Sequence, residues 1–206
     1  MLQWSSALLT LALAALGSGA PVQPVARNLL RNPGFESGQN HPDGWRMLSP
    51  RPETASGVRW LWEKGKSHSG RRSVLVQSTG GGLGMWQQVV QVEPGGVYQI
   101  SGYVAFDRIA PPGRCGLQLV FRDADGRVLQ FVDLPAHTGS RGFALDFPAR
   151  LKVRAPARSD RVEVNLLLSG AGKAWFDDVF FGPAPTGTVA GTVASGGKPL
   201  ADARVF

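Results

Sequence analysis

Short runs in which apolar and polar residues strictly alternate, each closed by Gly- or Pro-bearing turn chemistry, constrain this chain more than any other feature. Leu117, Leu119 and Phe121 fall on one face of an extended segment while Gln118 and Arg122 take the other, and Val162, Val164, Leu166 and Leu168 repeat the pattern against Glu163 and Asn165. A period of two marks a strand with one buried face; a helix would repeat its apolar positions every three to four residues. Between Phe121 and Val128, the Asp125-Gly126 step supplies the positive φ of a tight hairpin. Glu93-Pro94-Gly95-Gly96 punctuates a second pair of runs, 86–92 and 97–106, with Tyr98, Ile100, Val104 and Phe106 sharing a face. Further runs at 59–62, 73–77, 143–147, 151–153 and 175–181 carry no helix signal between them. The spacing of about nine strands predicts an all-β sandwich or jelly roll.

The 206 residues, 43% of them hydrophobic, suffice for one core of ordinary size, and 27 Gly with 15 Pro suit many short strands and tight turns. The net charge of +7 is carried mostly by arginines dispersed from Arg27 to Arg204, with no run longer than two. A dispersed excess gives weak attraction to acidic polymers, whereas nucleic-acid recognition calls for a basic stripe or a recognised fold, so no nucleic-acid partner is expected. Cys115 is the only cysteine, which excludes an intrachain disulfide, and at the head of an apolar strand it reads as a small buried hydrophobe. Asp123-Ala124-Asp125-Gly126 hints at a calcium loop but lies between strands and lacks the later acidic ligand of a helix-flanked loop. Gly80-Gly81-Gly82 is followed by neither Lys-Ser/Thr nor a helix, so it reads as a plain loop and not a phosphate cradle.

At the N-terminus, residues 7–16 form an apolar run of signal-peptide length, too short to span a bilayer, and Ser18 and Ala20 fit a signal-peptidase site. Cleavage after Ala20 is expected, which places the product in a secreted, periplasmic or cell-surface location with no transmembrane segment in the mature chain. No cysteine stands nearby to carry a lipid.

Four separated segments bear a resemblance that the alternation alone does not give. They are Asn28-Leu29-Leu30-Arg31-Asn32-Pro33-Gly34-Phe35-Glu36-Ser37-Gly38 with Pro42-Asp43-Gly44-Trp45; Ser67-His68-Ser69-Gly70-Arg71-Arg72-Ser73-Val74; Trp86-Gln87-Gln88-Val89 through Pro94-Gly95-Gly96-Val97-Tyr98 to Ser101-Gly102-Tyr103; and Ala174-Trp175-Phe176-Asp177-Asp178-Val179. In this order and spacing, over residues 27–183, they resemble the carbohydrate-binding modules with a galactose-binding-like jelly roll of about eight to ten antiparallel strands. The resemblance implies a mostly structural Ca2+ site. Side chains would come from Glu36 and from Asp177 or Asp178, with carbonyls from Gly34, His68 and Arg71. Six to eight hard oxygens of irregular geometry suit loops and strand ends. The plain alternative is that Glu36 pairs with an arginine while Asp177 and Asp178 cap a turn. His41, His68 and His137 form no ligand-spaced pair for a transition metal.

Pyranose rings are gripped by aromatic faces, with polar side chains fixing the hydroxyls. Trp45, Trp86 and Trp175 lie inside the family motifs, where core packing is expected. Trp60 and Trp62 share one strand face, either displayed as a platform or turned into the core. Tyr103, Gln118, Arg122 and Asn165 are the candidate polar partners if one sheet face is the cleft. After a linker at 184–187, residues 188–206 resemble the opening of a carboxypeptidase-regulatory-like, transthyretin-like sandwich, through Gly191-Thr192-Val193 and the stretch from Gly197 to Val205. Two strands cannot bury a core, so an interrupted domain is expected there.

The function expected from these features is a non-catalytic, monomeric module that targets or anchors an exported protein to a polysaccharide. A structural or adhesive spacer without a sugar ligand is the alternative, since the fold hosts both. A hydrolase using Glu36 with Asp177 or Asp178 would need acid and base flanking a cleft, and no Ser-His-Asp or zinc pattern offers other chemistry.

Overall fold

The computed structural model describes residues 27–50, 53, 55–133, 136–185, 194–195 and 198–199. Ten strands build the body: β1 (Arg46–Leu48), β2 (Val58–Lys64), β3 (Arg72–Ser78), β4 (Leu83–Gln91), β5 (Val97–Ile109), β6 (Arg114–Arg122), β7 (Val128–Asp133), β8 (Gly139–Arg154), β9 (Arg161–Ser169) and β10 (Gly172–Pro183). They form two five-stranded sheets of order β1-β4-β9-β6-β7 (sheet I) and β2-β3-β10-β5-β8 (sheet II), in which every pair is antiparallel. No α-helix occurs among the described residues, and none of their helices is long and apolar enough to cross a membrane. The fold is the all-β jelly-roll sandwich expected from the sequence.

Alternation does what it predicts. Leu117, Leu119 and Phe121 of β6 and Val162, Val164, Leu166 and Leu168 of β9 all enter one core with Val74, Val76, Ile100, Val104 and Phe176 of sheet II. Asp125-Gly126 closes the β6–β7 hairpin with Gly126 at φ 86°. Two differences have simple causes. The runs at 143–147 and 151–153 belong to one strand, β8; Pro148 between them is tolerated because β8 is the edge of sheet II, where a missing N–H costs no ladder bond. β1 has three residues, too few for a periodicity to show, and is held by register against β4.

The beginning and the end of the body lie side by side. Leu29 N donates to Phe181 O at 2.7 Å, Phe181 N to Asn28 Oδ1 at 3.1 Å, Asn28 Nδ2 to Val179 O at 2.9 Å and Val179 N to Pro33 O at 3.0 Å. The leader at 1–20 lies outside the described residues. Of the tail, two short strands are described, β11 (Ala194–Ser195) and β12 (Lys198–Pro199), paired antiparallel with each other.

Candidate functional site

Alternation that sends Leu117, Leu166 and Trp86 into the core sends their neighbours Gln118, Asn165 and Gln87 to the outer face of sheet I. The register stacks these with Arg46 and Asp133 in one rung across all five strands: Arg46 opposite Gln87, Gln87 opposite Asn165, Asn165 opposite Gln118, Gln118 opposite Asp133. Directly opposed side chains lie about 5 Å apart, within reach of one another, and each rung member bonds to the next. Arg46 Nε donates to Gln87 Oε1 at 2.8 Å and Nη2 donates to the same oxygen. Gln87 Nε2 donates to Asn165 Oδ1 at 2.7 Å, Asn165 Nδ2 to Gln118 Oε1 at 3.0 Å, and Gln118 Nε2 to Asp133 Oδ1 at 2.7 Å.

The exposure of this face is uneven. Gln87 and Asn165 are each only 2% exposed, and Met85, Val120 and Leu167 on the same face are also buried, while Arg46 on β1 and Asp133 on β7 stand open. The centre of this face is closed to solvent while its two edge strands are open. On its β7 rim Phe131, opposite Val120 and two residues from Asp133, is 60% exposed. A free aromatic face beside fixed amides and carboxylates is the equipment that sugar recognition needs. Further along the same face Arg122 grips Glu163 in a fork, Nε to Oε1 at 2.6 Å and Nη2 to Oε2 at 3.3 Å, and also donates to Gly126 O at 2.8 Å. It is four residues along β6 from Gln118, roughly 13 Å at strand rise.

Of the six candidate sugar contacts, the structure therefore brings Gln118, Asn165 and Arg122 to one face and separates the rest. Trp60 and Trp62 do share a face, but it is the inner one: both pack against the core, Trp60 Nε1 donates to Met85 O at 2.9 Å and Trp62 Nε1 to Phe35 O at 2.7 Å. The Arg72 guanidinium lies 3.7 Å above the Trp62 ring. As a displayed platform the pair is thus corrected to core, because β2 turns its even positions inward with Val58. Tyr103 lies on the outer face of sheet II, opposite Asp177 and Leu145, with its ring stacked on His68 at 3.3 Å. Arg46, Gln87, Asp133, Glu163 and Phe131 were not anticipated. Gln87 and Glu163 could have been, since the one neighbours a core tryptophan and the other shares the polar face of its strand with Asn165; Arg46, Asp133 and Phe131 depend on strand order and register.

Trp45 and Trp86 are core residues as expected. Trp175 is buried outside that core, in a second cluster with Leu75 and Ala105 on the outer face of sheet II. Lys66 Nζ covers it at 3.1 Å from the ring centroid, and Glu63 accepts from its Nε1. Burial lowers the Lys66 pKa, against the pull of Glu63 and Asp107, which raise it.

The carboxylates expected around calcium converge on the turn 67–72. Adjacent strand residues ordinarily point to opposite faces, but a register shift in β10 after Asp177, with Asp178 at φ 46°, lets both acids address the same turn. Asp177 Oδ2 accepts from His68 N at 2.7 Å and Ser69 N at 3.1 Å, and its Oδ1 accepts from Asp178 N at 2.8 Å. Asp178 meets His68 Nδ1 at 2.6 Å and accepts from Ser69 Oγ at 2.9 Å. From the first motif, Glu36 Oε1 accepts from Arg71 N at 2.8 Å and Arg72 N at 2.9 Å, so its arginine partners are backbone and not guanidinium groups. Gly34 closes the ring: a Cβ there would stand 3.3 Å from Asp178 Oδ1. Burial pushes the Asp177 carboxyl up to about 6; the N–H bonds from Ser69, Asp178 and His68 hold it down, and the charge of Asp178 adds to the rise. The donors are hard oxygens, the kind calcium takes. Among the described residues no three His, Cys, Asp or Glu side chains group to hold a metal, so a cation here would rely on backbone carbonyls as well. Glu36 lines a cavity with Lys64, Ser67, Arg71 and Arg72, and neither Asp177 nor Asp178 lines it.

No protein-family model and no curated protein matches the chain. Among solved structures it is similar to the xylan-binding domain of carbohydrate-binding family 22 (TM-score 0.55, 16% identity, 78% of this chain and 98% of that one). It is also similar to TmCBM61, solved in complex with β-1,4-galactotriose (TM-score 0.51, 20% identity, 77% and 100%). A third is the enzymatically active domain of tailspike protein 4 of bacteriophage CBA120 (TM-score 0.57, 16% identity), of which the chain spans 21% against 76% of its own length. At these identities the likeness is one of fold, and that fold is the jelly-roll sandwich of carbohydrate-binding modules.

Proposed function

We propose that the body, residues 27–183, is a non-catalytic glycan-binding module of an exported protein, and that it binds along the outer face of sheet I. The observation that carries this reading is the hydrogen-bonded rung Arg46–Gln87–Asn165–Gln118–Asp133, buried at its centre and open at both ends. Buried amides are costly unless hydrogen-bonded, and here each is bonded to the next, which fixes in place the polar groups at the open ends of the rung. Phe131 supplies the stacking surface, and Gln118 and Asp133 supply hydroxyl contacts beside it. Solved modules of the same fold bind xylan and a galactotriose, which supports a β-glycan as the class. Ca2+, if bound, would sit at the turn 67–72, held by Glu36 and by Asp177 or Asp178, with carbonyls of Gly34, His68 and Arg71. There it would tie the two ends of the body together and stabilise the folded state by mass action.

The test is calorimetric titration of the whole chain with xylohexaose, β-1,4-galactotriose and a panel of soluble polysaccharides. Binding by one of them, reduced tenfold or more in Gln118→Ala, is the expected result. Silence across the panel would overturn the reading in favour of a spacer domain.

A further inference from the structure

The rung has a direction, and its two ends set it. An amide can be built either way round, because its oxygen and nitrogen can exchange places by a flip. Arginine can only donate and an ionised aspartate can only accept. With Arg46 at one end and Asp133 at the other, every amide between them must turn its oxygen towards β1 and its nitrogen towards β7, as the bonds record. What remains for a ligand then follows by counting. Gln87 Oε1 takes both Arg46 bonds and keeps no acceptor, only its second N–H. Asn165 and Gln118 each keep one N–H and one oxygen lone pair, while Asp133 keeps acceptors alone. Gln87 and Asn165 are each 2% exposed, so they transmit the polarity, and the groups a ligand meets directly are those of Arg46, Gln118 and Asp133.

We propose that Arg46 and Asp133 are positioning residues: their opposite charges fix the polarity of the relay, so that the floor of sheet I grades from donor at β1 to acceptor at β7. A glycan lying across the strands is then admitted in one orientation, with a uronate carboxylate placed at the Arg46 end. The ligand half of this rests on the glycan reading above; the polarity of the relay does not.

The two halves are separated by combining side-chain amide NMR of the unliganded chain with titration of a neutral and an acidic probe, xylohexaose and a glucuronate-bearing xylooligosaccharide. Asp133→Lys puts donors at both ends and Arg46→Glu puts acceptors at both, so in each the relay must break. In the double variant R46E/D133K it re-forms in the reverse sense. Each single variant is expected to move the NH2 resonances of all three amides, including Gln87 under Asp133→Lys at a remove of three strand spacings, roughly 14 Å, and the double variant is expected to restore three sharp, protected pairs. Shifts confined to the immediate neighbour, with no restoration in the double variant, would overturn the relay. Arg46→Glu is expected to reduce the acidic-to-neutral affinity ratio tenfold or more, and equal loss for both probes would overturn the ligand half. If wild type binds neither probe, the ligand half falls together with the glycan reading, and the NH2 shifts still decide the relay.

Discussion

Replacing Asp177 by alanine in the presence of a chelator tests how the ends of the body are joined. The carboxylate is fully buried and accepts three backbone N–H groups, from His68, Ser69 and Asp178. Hydrogen bonds to a charged acceptor contribute roughly 1.5–3 kcal/mol each, and a stranded buried donor costs a similar amount. The turn is partly open, however, so water recovers part of that loss. Burial has also raised the Asp177 pKa to about 6, which means the carboxylate itself bears a desolvation cost that the variant removes. The net loss expected is about 2–4 kcal/mol, or roughly 4–16 °C in melting temperature at the 2–4 °C per kcal/mol usual for a domain of this size. Asp177→Asn should fall between alanine and wild type, since its oxygen can still serve His68 and Ser69 while its NH2 faces the Asp178 N–H. Thermal unfolding followed by circular dichroism in EDTA is the assay. An alanine variant melting within about 2 °C of wild type in EDTA would refute the reasoning. If the gap opened only when calcium was added, the carboxylate would be acting as a metal ligand and not as an N–H acceptor.

Other outcomes follow from the same geometry. Phe131→Ala should weaken glycan binding about tenfold by calorimetry while changing stability by less than about 0.5 kcal/mol, as fits a residue exposed on a rim. Trp60→Ala should do the reverse, costing about 2–4 kcal/mol in urea unfolding without touching affinity, because it empties core space and strands the Met85 carbonyl. With EDTA present, stability should fall as pH rises from about 4 to about 6. With its pKa raised, Asp177 binds more protons folded than unfolded in that window, so protonation favours the native state; Asp177→Asn should flatten the slope. Lys66→Ala should bare Trp175 to acrylamide and red-shift its emission, since the ammonium now covers the ring.

The architecture was legible because alternation and turn chemistry are local. Leu117 to Phe121 and Val162 to Leu168 declare their buried face within a few residues, and Asp125-Gly126 declares its hairpin. That Glu36 bonds to the same turn 67–72 as Asp177 and Asp178 was reachable through the motifs at the two ends. The face carrying the rung was only half visible. Gln118 and Asn165 follow from alternation, but their linkage through Gln87 to Arg46 and Asp133 requires the order β1-β4-β9-β6-β7, which joins segments distant in sequence. Trp60 and Trp62 show the opposite limit: period two places two indoles on one side of a strand and is silent on whether that side meets a second sheet. Phe131 was obscured by the irregularity between Phe121 and Arg122: a regular register run back from Arg122–Val128 would set Gln130 opposite Val120, and the shift sets Phe131 there instead.

The adjacency of the first and last stretches of the body also bears on mechanics. Asn28 and Leu29 run against Val179 and Phe181 like the open end of a zipper. Tension drawn between residues 27 and 184 would load those bonds one after another and not all at once, and would then arrive at the Asp177 turn. In any longer polypeptide such a body adds little reach along the backbone while whole, and yields its stored length at low force unless that turn is reinforced.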